Sequence, residues 1–501
     1  MQSILKNNLE VIMKRSLSLL LAALLLAAAT GCGNKEPVKD TAASDTSSAE
    51  VESETAAPES ETKIDYAAAL PEANYDGYSF RMLSKSPEKA WGLLSLDADE
   101  ATGDVLNDFV FERNSAIEER YNIIITNQTE ENITGMVKKS VNGGTDEFDI
   151  VLDYVKQAVT DAPSGYYQNL WSIDSINLDN PWWNKTAAEL LTIKNRVYVG
   201  FNDFNTQIME LLAAFYFNSD VIMQNGLTSP YILVEEGRWT MDAMYEQAVT
   251  CAVDRDGDGV IGEGDMVGWV GGAGSFNILF NSCDSPHIYF DENCNLALSH
   301  GMEKMYDVSV KISRLMTDKS FSAYINNQPW ANDAFANGNA AFREGSLSEF
   351  NKHRESEAAV CIVPAPKYDE AQEKYRAMMS NCSMGISLPV TVADTDKIGF
   401  ICEALGAYSH IPLREVYYNT VLKSKLARDE ESVKMLDIIV ANQTLDIGVI
   451  NEIAYGDIIS GYFFSIRDHG TEQLSSVAAK DQERFTAKVA QIESAYEKLP
   501  E

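Results

Sequence analysis

The sequence predicts an α/β protein carried behind an export signal. Three observations predict it. Strand-like and helix-like stretches alternate from residue 78 onward, the pattern of a mainly parallel sheet with its working surface at the strands' carboxyl ends. More than 400 residues follow at 45% hydrophobic content overall, enough to bury a sizeable core and to divide into two or more domains. The first 64 residues hold nothing that would pack against that core.

The chain opens with an address. Lys14 and Arg15 precede an apolar run at 17–29, broken only by Ser18, and then Thr30, Gly31 and Cys32. A basic start and a short apolar run make a secretory signal over 1–31, too short for a stable membrane span. Small residues ending in Gly-Cys resemble the bacterial lipobox, in which the cysteine is lipidated and becomes the mature N-terminus; Ala29 stands where that pattern prefers Leu. Residues 32–64 are rich in Ser, Thr, Ala and Glu and read as a disordered tether. A flexible chain of that length spans roughly 30 Å. The expected location is therefore extracytoplasmic, with Cys32 anchoring the body to the cell membrane.

The first strand is YSFRML (78–83). Residues 105–121 form an amphipathic helix, with Phe109 and Ile117 on one side and Glu112, Arg113, Glu118, Glu119 and Arg120 on the other. NIIIT (122–126) and FDIVL (148–152) are the second and third strands. Further on, Trp239, Met241, Met244, Tyr245, Ala248 and Ala252 recur close to the helical period, with Thr240 as N-cap.

That helix runs into DRDGDGVIGEGD (254–265), which has the spacing of a twelve-residue calcium loop. Asp254, Asp256 and Asp258 supply oxygens at positions one, three and five, Val260 a backbone carbonyl at seven, and Asp265 a carboxylate at twelve. A hard divalent cation wants six to eight oxygens at roughly 2.3–2.6 Å, and alternate residues of a tight loop point inward together. Gly259 takes the sharp turn, and Ile261 faces the core. Asp in place of Glu at the last position implies modest affinity. The expected cofactor is a structural calcium, with no organic cofactor.

Net charge is −35; Lys6, Lys14 and Arg15 against Glu10 give the first 31 residues +2, leaving −37 for the exported part. Such acidity argues against nucleic acid and against docking on anionic lipid. After Cys32 come Cys251, Cys283, Cys294, Cys361, Cys382 and Cys402, none in a CxxC pair, which argues against zinc. Export permits disulfides, and Cys283–Cys294 is the closest pair in sequence; buried free thiols remain the alternative.

Five segments, in order, carry a family resemblance: GDVLNDFVFERNSAIEERYNI (103–123), LDNPWWNK (178–185), ANGNAAFREGSLSEF (336–350), IVPAPKYDEAQEKY (362–375) and VYYNTVLKSKLARDEESVKMLDII (416–439). Together they resemble the extracellular solute-binding proteins of carbohydrate ABC importers, the maltose-binding-protein-like family 1. The resemblance implies a two-lobed, periplasmic-binding-protein-like (type II) α/β fold with discontinuous lobes joined by a hinge. It places residues 65–205 and 340–380 in lobe one and 206–339 and 381–501, with the calcium-like loop, in lobe two. The crossings are expected near 201–210, 338–342 and 378–387.

Sugars offer C–H faces to aromatic rings and hydroxyls to polar groups, so a sugar cleft wants Trp or Tyr beside Asp, Asn or Arg. Asp153 and Tyr154 follow the third strand and Trp91 follows the first, so all three are expected at the cleft. Asn205 lies near the expected hinge, Phe276 follows a glycine run, Arg343 follows the strand at 340–342, and Tyr455 lies in the segment that closes the cleft in relatives. Trp182 and Trp183, set behind a proline, read as packing within a lobe. The reading is a non-enzymatic receptor, monomeric, whose partners are a carbohydrate and the permease subunits of an ABC importer. Another solute class on the same scaffold is the runner-up. A glycoside hydrolase is the third reading; it would need two paired carboxylates, and neither GxSxG nor a duplicated calcium loop is present.

Overall fold

The structure, a computed structural model, describes residues 65–92, 96–325, 328–349, 356, 358–421 and 430–499. The signal, Cys32 and the tether lie outside the described residues. The rest is built on two sheets, of four and five strands.

The first sheet begins as the alternation predicts. Strands β1 (Tyr78–Lys85), β2 (Ile123–Glu130) and β3 (Ile150–Tyr154) are parallel, with β1 in the middle. Between β1 and β2 runs α1 (Val105–Tyr121), capped by the Asp104 carboxylate on the amides of Leu106 and Asn107 and closed by Asn122 at φ 51°. Its buried stripe is Leu106, Val110, Arg113, Ile117 and Tyr121, the helical period with an arginine inside it. Arg113 therefore does not sit on the polar face. Its guanidinium donates to the carbonyls of Phe204 (3.0 Å) and Leu96 (3.1 Å), to Asn114 Oδ1 (2.9 Å) and to Ser409 Oγ (3.3 Å). With no carboxylate beside it, burial pulls its pKa down to about 9. Helix α2 (Ile133–Gly143) returns the chain to β3, and α3 (Val155–Asp161) leaves it.

After residue 205 the chain crosses to the second sheet. There it lays down β4 (Ala213–Asn218), α4 (Met241–Cys251), β5 (Val267–Gly271) and α5 (Ala273–Ser282). A hairpin follows, β6 (Ile288–Phe290) with β7 (Leu296–Leu298), then α6 (Glu303–Thr317), β8 (Ser322–Tyr324), β9 (Ala340–Ser346) and β10 (Val360–Val363). Strand order is β10-β4-β9-β5-β8; β5 is parallel to both neighbours, while β4 is antiparallel to both of its own. All six residues of β4 are buried, as a central strand covered on both faces requires.

The chain then passes through β11 (Ala377–Met378) to β12 (Met384–Ser387), which pairs antiparallel with β3 of the first sheet. Helix α7 (Thr395–Val421) packs against α1. Helix α8 (Glu430–Ala441) returns to β10 of the second sheet, and β13 (Gln443–Thr444) pairs with β11. Helices α9 (Ile458–His469) and α10 (Leu474–Tyr496) close the chain.

This topology corrects the expected lobe boundaries. Residues 340–346 and 360–363 belong with the second sheet, because the apolar run at 340–342 pairs with β5 and β4 rather than returning to β3. Residues 384–421 belong with the first, so the crossing expected at 338–342 is not one, whereas the one expected at 378–387 is where β12 joins β3. A buried carboxylate makes the same point. Glu403 of α7 accepts from Trp182 Nε1 (2.8 Å), Trp183 Nε1 (2.7 Å), the Asn177 amide (2.9 Å) and Asn180 Nδ2 (2.7 Å). The two tryptophans are packing residues held on one anion. All six described cysteines are free, including Cys283 and Cys294. Among the described residues no helix is long and apolar enough to cross a membrane.

Candidate functional site

A cavity of about 500 Å³ lies where loops of the first sheet meet the second. The first sheet contributes Trp91, from the loop after β1, and Asn381 and Cys382, from the segment leading into β12. The second contributes the first turns of α5, the end of β9, and the inner face of α9 with the turn before it.

Trp91 is held by its backbone, which leaves its ring free. Its amide donates to Tyr154 Oη (3.3 Å) and its carbonyl accepts from Gln207 Nε2 (2.5 Å), while the side chain is 65% exposed. The next residue must be glycine. Gly92 has φ +80°, and a Cβ there would lie 3.3 Å from both Gln207 and Glu210. Gln207 is wholly buried and also takes the Met384 amide on Oε1 (2.7 Å). Beside it Asn205 donates to the Met384 carbonyl (2.9 Å) and accepts the Gln207 amide (3.1 Å). These two amides stitch the crossing segment to β12. Asn205 thus sits at the crossing as expected, but it is buried there and does not reach the cavity. Gln207 is the member that sequence reasoning missed, and a Gln two residues from a suspected hinge gave no signal of its own.

On the opposite wall stand Phe463 and Phe464 of α9, with Ser460 one turn earlier. Asn277 presents its amide from α5, and three carboxylates, Glu344, Glu349 and Glu452, complete the lining. Ser275 Oγ donates to Glu344 (2.5 Å) and accepts the Gly272 amide (2.7 Å). Burial, more than this hydrogen bond opposes it, pushes the Glu344 carboxyl up to about 7.

Four other expected residues sit one layer off. Phe276 is buried and packs on Phe463 with ring centroids 4.1 Å apart, so it backs the wall instead of forming it. Arg343 faces away from the cavity because side chains alternate along β9; it donates to the Asn332 carbonyl (2.7 Å) and to Glu349 (3.1 Å), and its neighbour Glu344 takes the inward place. Tyr455 is fully buried against Phe485 at 5.5 Å, while Glu452, three residues earlier, lines the cavity. Asp153 is buried and paired with Lys85 (3.2 Å), its pKa raised by desolvation. Tyr154 lies between, touching the cavity only through its bond to Trp91, with the Lys85 and Lys156 ammoniums 4.8 Å and 5.6 Å from its ring centroid.

No family model and no curated protein matches the sequence. Solved structures do. A sugar transporter from Rhizobium etli in an open conformation aligns at TM-score 0.56 and 14% identity, over 83% of this chain and 99% of its own. An ABC substrate-binding protein from Listeria monocytogenes in complex with cycloalternan aligns at 0.53 and 12%, over 83% and 100%. This is the two-lobed solute-binding-protein fold. A third such structure, UgpB from Mycobacterium tuberculosis in complex with glycerophosphocholine, aligns at 0.50 and 14%, over 83% and 99%. In the solute-binding-protein fold of this chain, the cavity takes the interlobe position.

The calcium-like loop lies on the second lobe, between α4 and β5. Thr240 caps α4 as expected, its Oγ1 accepting the Ala243 amide (3.2 Å). Asp254, Asp256 and Asp265 bring one carboxylate oxygen each within 4.8 Å of one another. Gly259 has φ +87°, Ile261 is buried, and the Ile261 amide donates to the Lys319 carbonyl just before β8 (2.8 Å). Asp258 is outside this cluster; its carboxylate accepts the Val260 amide (2.8 Å), and Val260 is exposed. The donor set is hard oxygen throughout, which fits calcium by chemistry.

Proposed function

We propose that this chain captures a carbohydrate in the interlobe cavity, unaltered, and delivers it to the permease of an ABC importer. The observation that carries the reading is the cavity itself: both lobes line it, and aromatic faces alternate with polar groups. Trp91 on one side and Phe463 and Phe464 on the other offer C–H stacking surfaces, and Asn277, Asn381 and Ser460 are placed to pair hydroxyls. The sugar transporter and the cycloalternan complex with the same fold support the ligand class. The glycerophosphocholine complex favours a second reading, another polyol-bearing solute on the same scaffold.

The test is calorimetry of the full chain against mono- and oligosaccharides, with amino acids and short peptides as controls, followed by recovery of the ligand. Saturable binding with unchanged sugar supports the reading. Hydrolysed sugar, or turnover of a chromogenic glycoside, would move the protein to the hydrolases.

Two further parts of the proposal concern the ends of the machine. Cys32 carries the lipid anchor, so Cys32→Ser should shift the protein from the detergent phase to the medium or stall its processing; two acyl chains hold where one is marginal. Asp254, Asp256 and Asp265, joined by Asp258 and the Val260 carbonyl, hold a structural calcium that ties the α4–β5 connection into one rigid turn.

A further inference from the structure

The cavity's charge restricts what can enter it. Its lining holds Glu344, Glu349 and Glu452, and among the described residues that line it there is no lysine, arginine or histidine. One of the three carboxylates is offset from behind: Glu349 takes the Arg343 guanidinium at 3.1 Å. Glu344 takes the Ser275 hydroxyl and a backbone hydrogen bond at Gly272, with Arg343 acting on it from behind but forming no ion pair with it, and no ion pair to Glu452 occurs among the described residues. The remaining hydroxyl and amide side chains, Asn277, Asn381, Ser346, Ser380 and Ser460, are neutral.

Resting on the carbohydrate reading above, we infer that the cavity sorts its ligands by charge, taking neutral or amine-bearing sugars and rejecting acidic ones such as uronates and sugar phosphates. Hydroxyls and ammonium groups donate to carboxylates. A carboxylate or phosphate on the ligand meets like charge from Glu452 and, once the pH is above about 7, from Glu344 as well, in a space whose apolar walls weaken screening. Anion recognition wants a guanidinium fork or an ammonium, and the lining supplies neither. The rings of Trp91 and Phe463 would in addition favour a cationic group over a neutral one, whereas the Phe464 ring already has the Arg467 guanidinium 4.7 Å from its centroid.

Cys382 allows a test that needs no ligand. Its thiol is half-buried in the cavity wall, while Cys294, in the β6–β7 turn, is exposed and serves as reference. The full chain is treated at about pH 8, where Glu344 is mostly ionised, with cationic, neutral and anionic methanethiosulfonates, and modification at each cysteine is followed by peptide mass spectrometry. The cationic-to-anionic rate ratio at Cys382 should exceed that at Cys294 by on the order of tenfold, about 1.4 kcal/mol. The Lys156 ammonium, 3.4 Å from the Cys382 sulfur, acts against this preference, so the excess belongs to the cavity. In a Glu344→Gln, Glu452→Gln double variant the ratio should fall toward that of Cys294. An anionic preference at Cys382, or a ratio that the double variant leaves unmoved, overturns the inference. A thermal-shift screen with oligosaccharides in matched neutral, amine-bearing and uronate forms gives the second arm. Hits confined to the first two forms support it, and a uronate that binds as well as its neutral counterpart overturns it. If no sugar binds at all, the carbohydrate reading fails, and the thiol ratio still decides the question of charge.

Discussion

Single side chains in this protein make their largest difference where one group serves several partners. Glu403 takes four hydrogen bonds, two from the paired indoles and two from the segment before them. Glu403→Gln would turn an acceptor into a donor facing N–H groups, so we expect a loss of roughly 2–4 kcal/mol, read from urea or thermal unfolding. Arg113→Met should cost about 2–3 kcal/mol, because it takes the buried Phe204 carbonyl's guanidinium donor away and leaves the Leu96 carbonyl with Asn114 alone. At this scale the sequence is least legible. That α1 is amphipathic could be read from its spacing, but that Arg113 lies inside the stripe could not, since its partners are carbonyls from distant segments. The cleft residues show the same limit. Arg343 and Glu344 are adjacent on β9, and which of them faces the cavity is a matter of parity that the composition of the strand does not disclose.

Elements were far more legible where a period and a cap coincided. Helix α1 runs over the span its spacing predicts, and α4 starts at the Thr240 cap, because both signals are local. Pairing between distant strands is not local, which is why β9, β10 and β12 had been expected in the wrong lobes. Two predictions belong to elements. If the 254–265 loop binds calcium with a dissociation constant near 10⁻⁵ M, millimolar calcium should stabilise metal-free protein by roughly 2.7 kcal/mol. Asp254→Ala should abolish that gain, and a melting temperature indifferent to calcium would count decisively against the site. The second concerns the β6–β7 hairpin and α10. His287 Nδ1 meets His300 Nε2 at 3.0 Å, and His300 Nδ1 meets Asp481 at 3.0 Å, all buried. Desolvation lowers the His287 pKa from 6.5 to about 4. The unfolded chain therefore binds the extra proton between those values, and stability is lost as pH falls from about 6.5 to 4, by on the order of 3 kcal/mol. His300, lowered to about 3 by burial, adds to the loss in the same direction, while Asp481, raised to about 6 by burial, works in the opposite direction and offsets part of it. Thermal melts from pH 7 to 4.5 should show a slope that His287→Phe flattens.

For the whole molecule, the proposed function rests on two lobes that share one cavity. A ligand drives closure only through contacts it makes better in the closed form, so both walls must contribute. Trp91→Ala and Phe463→Ala should each weaken sugar binding by ten- to hundredfold, roughly 1.5–3 kcal/mol for one stacking ring, measured by calorimetry. Saturating sugar should also reduce the radius of gyration by scattering, and unaltered affinity in both variants would place the ligand elsewhere. The route of the chain has a further consequence during synthesis. The first sheet has three strands by residue 154, yet the edge of β3 stays uncovered until β12 arrives at residue 384. A nascent chain of intermediate length thus exposes an open strand edge, the surface most apt to pair with another copy. If the chain is exported as the sequence predicts, such a topology favours threading across the membrane before folding starts, with the lobes assembling only once the last crossing segment is outside.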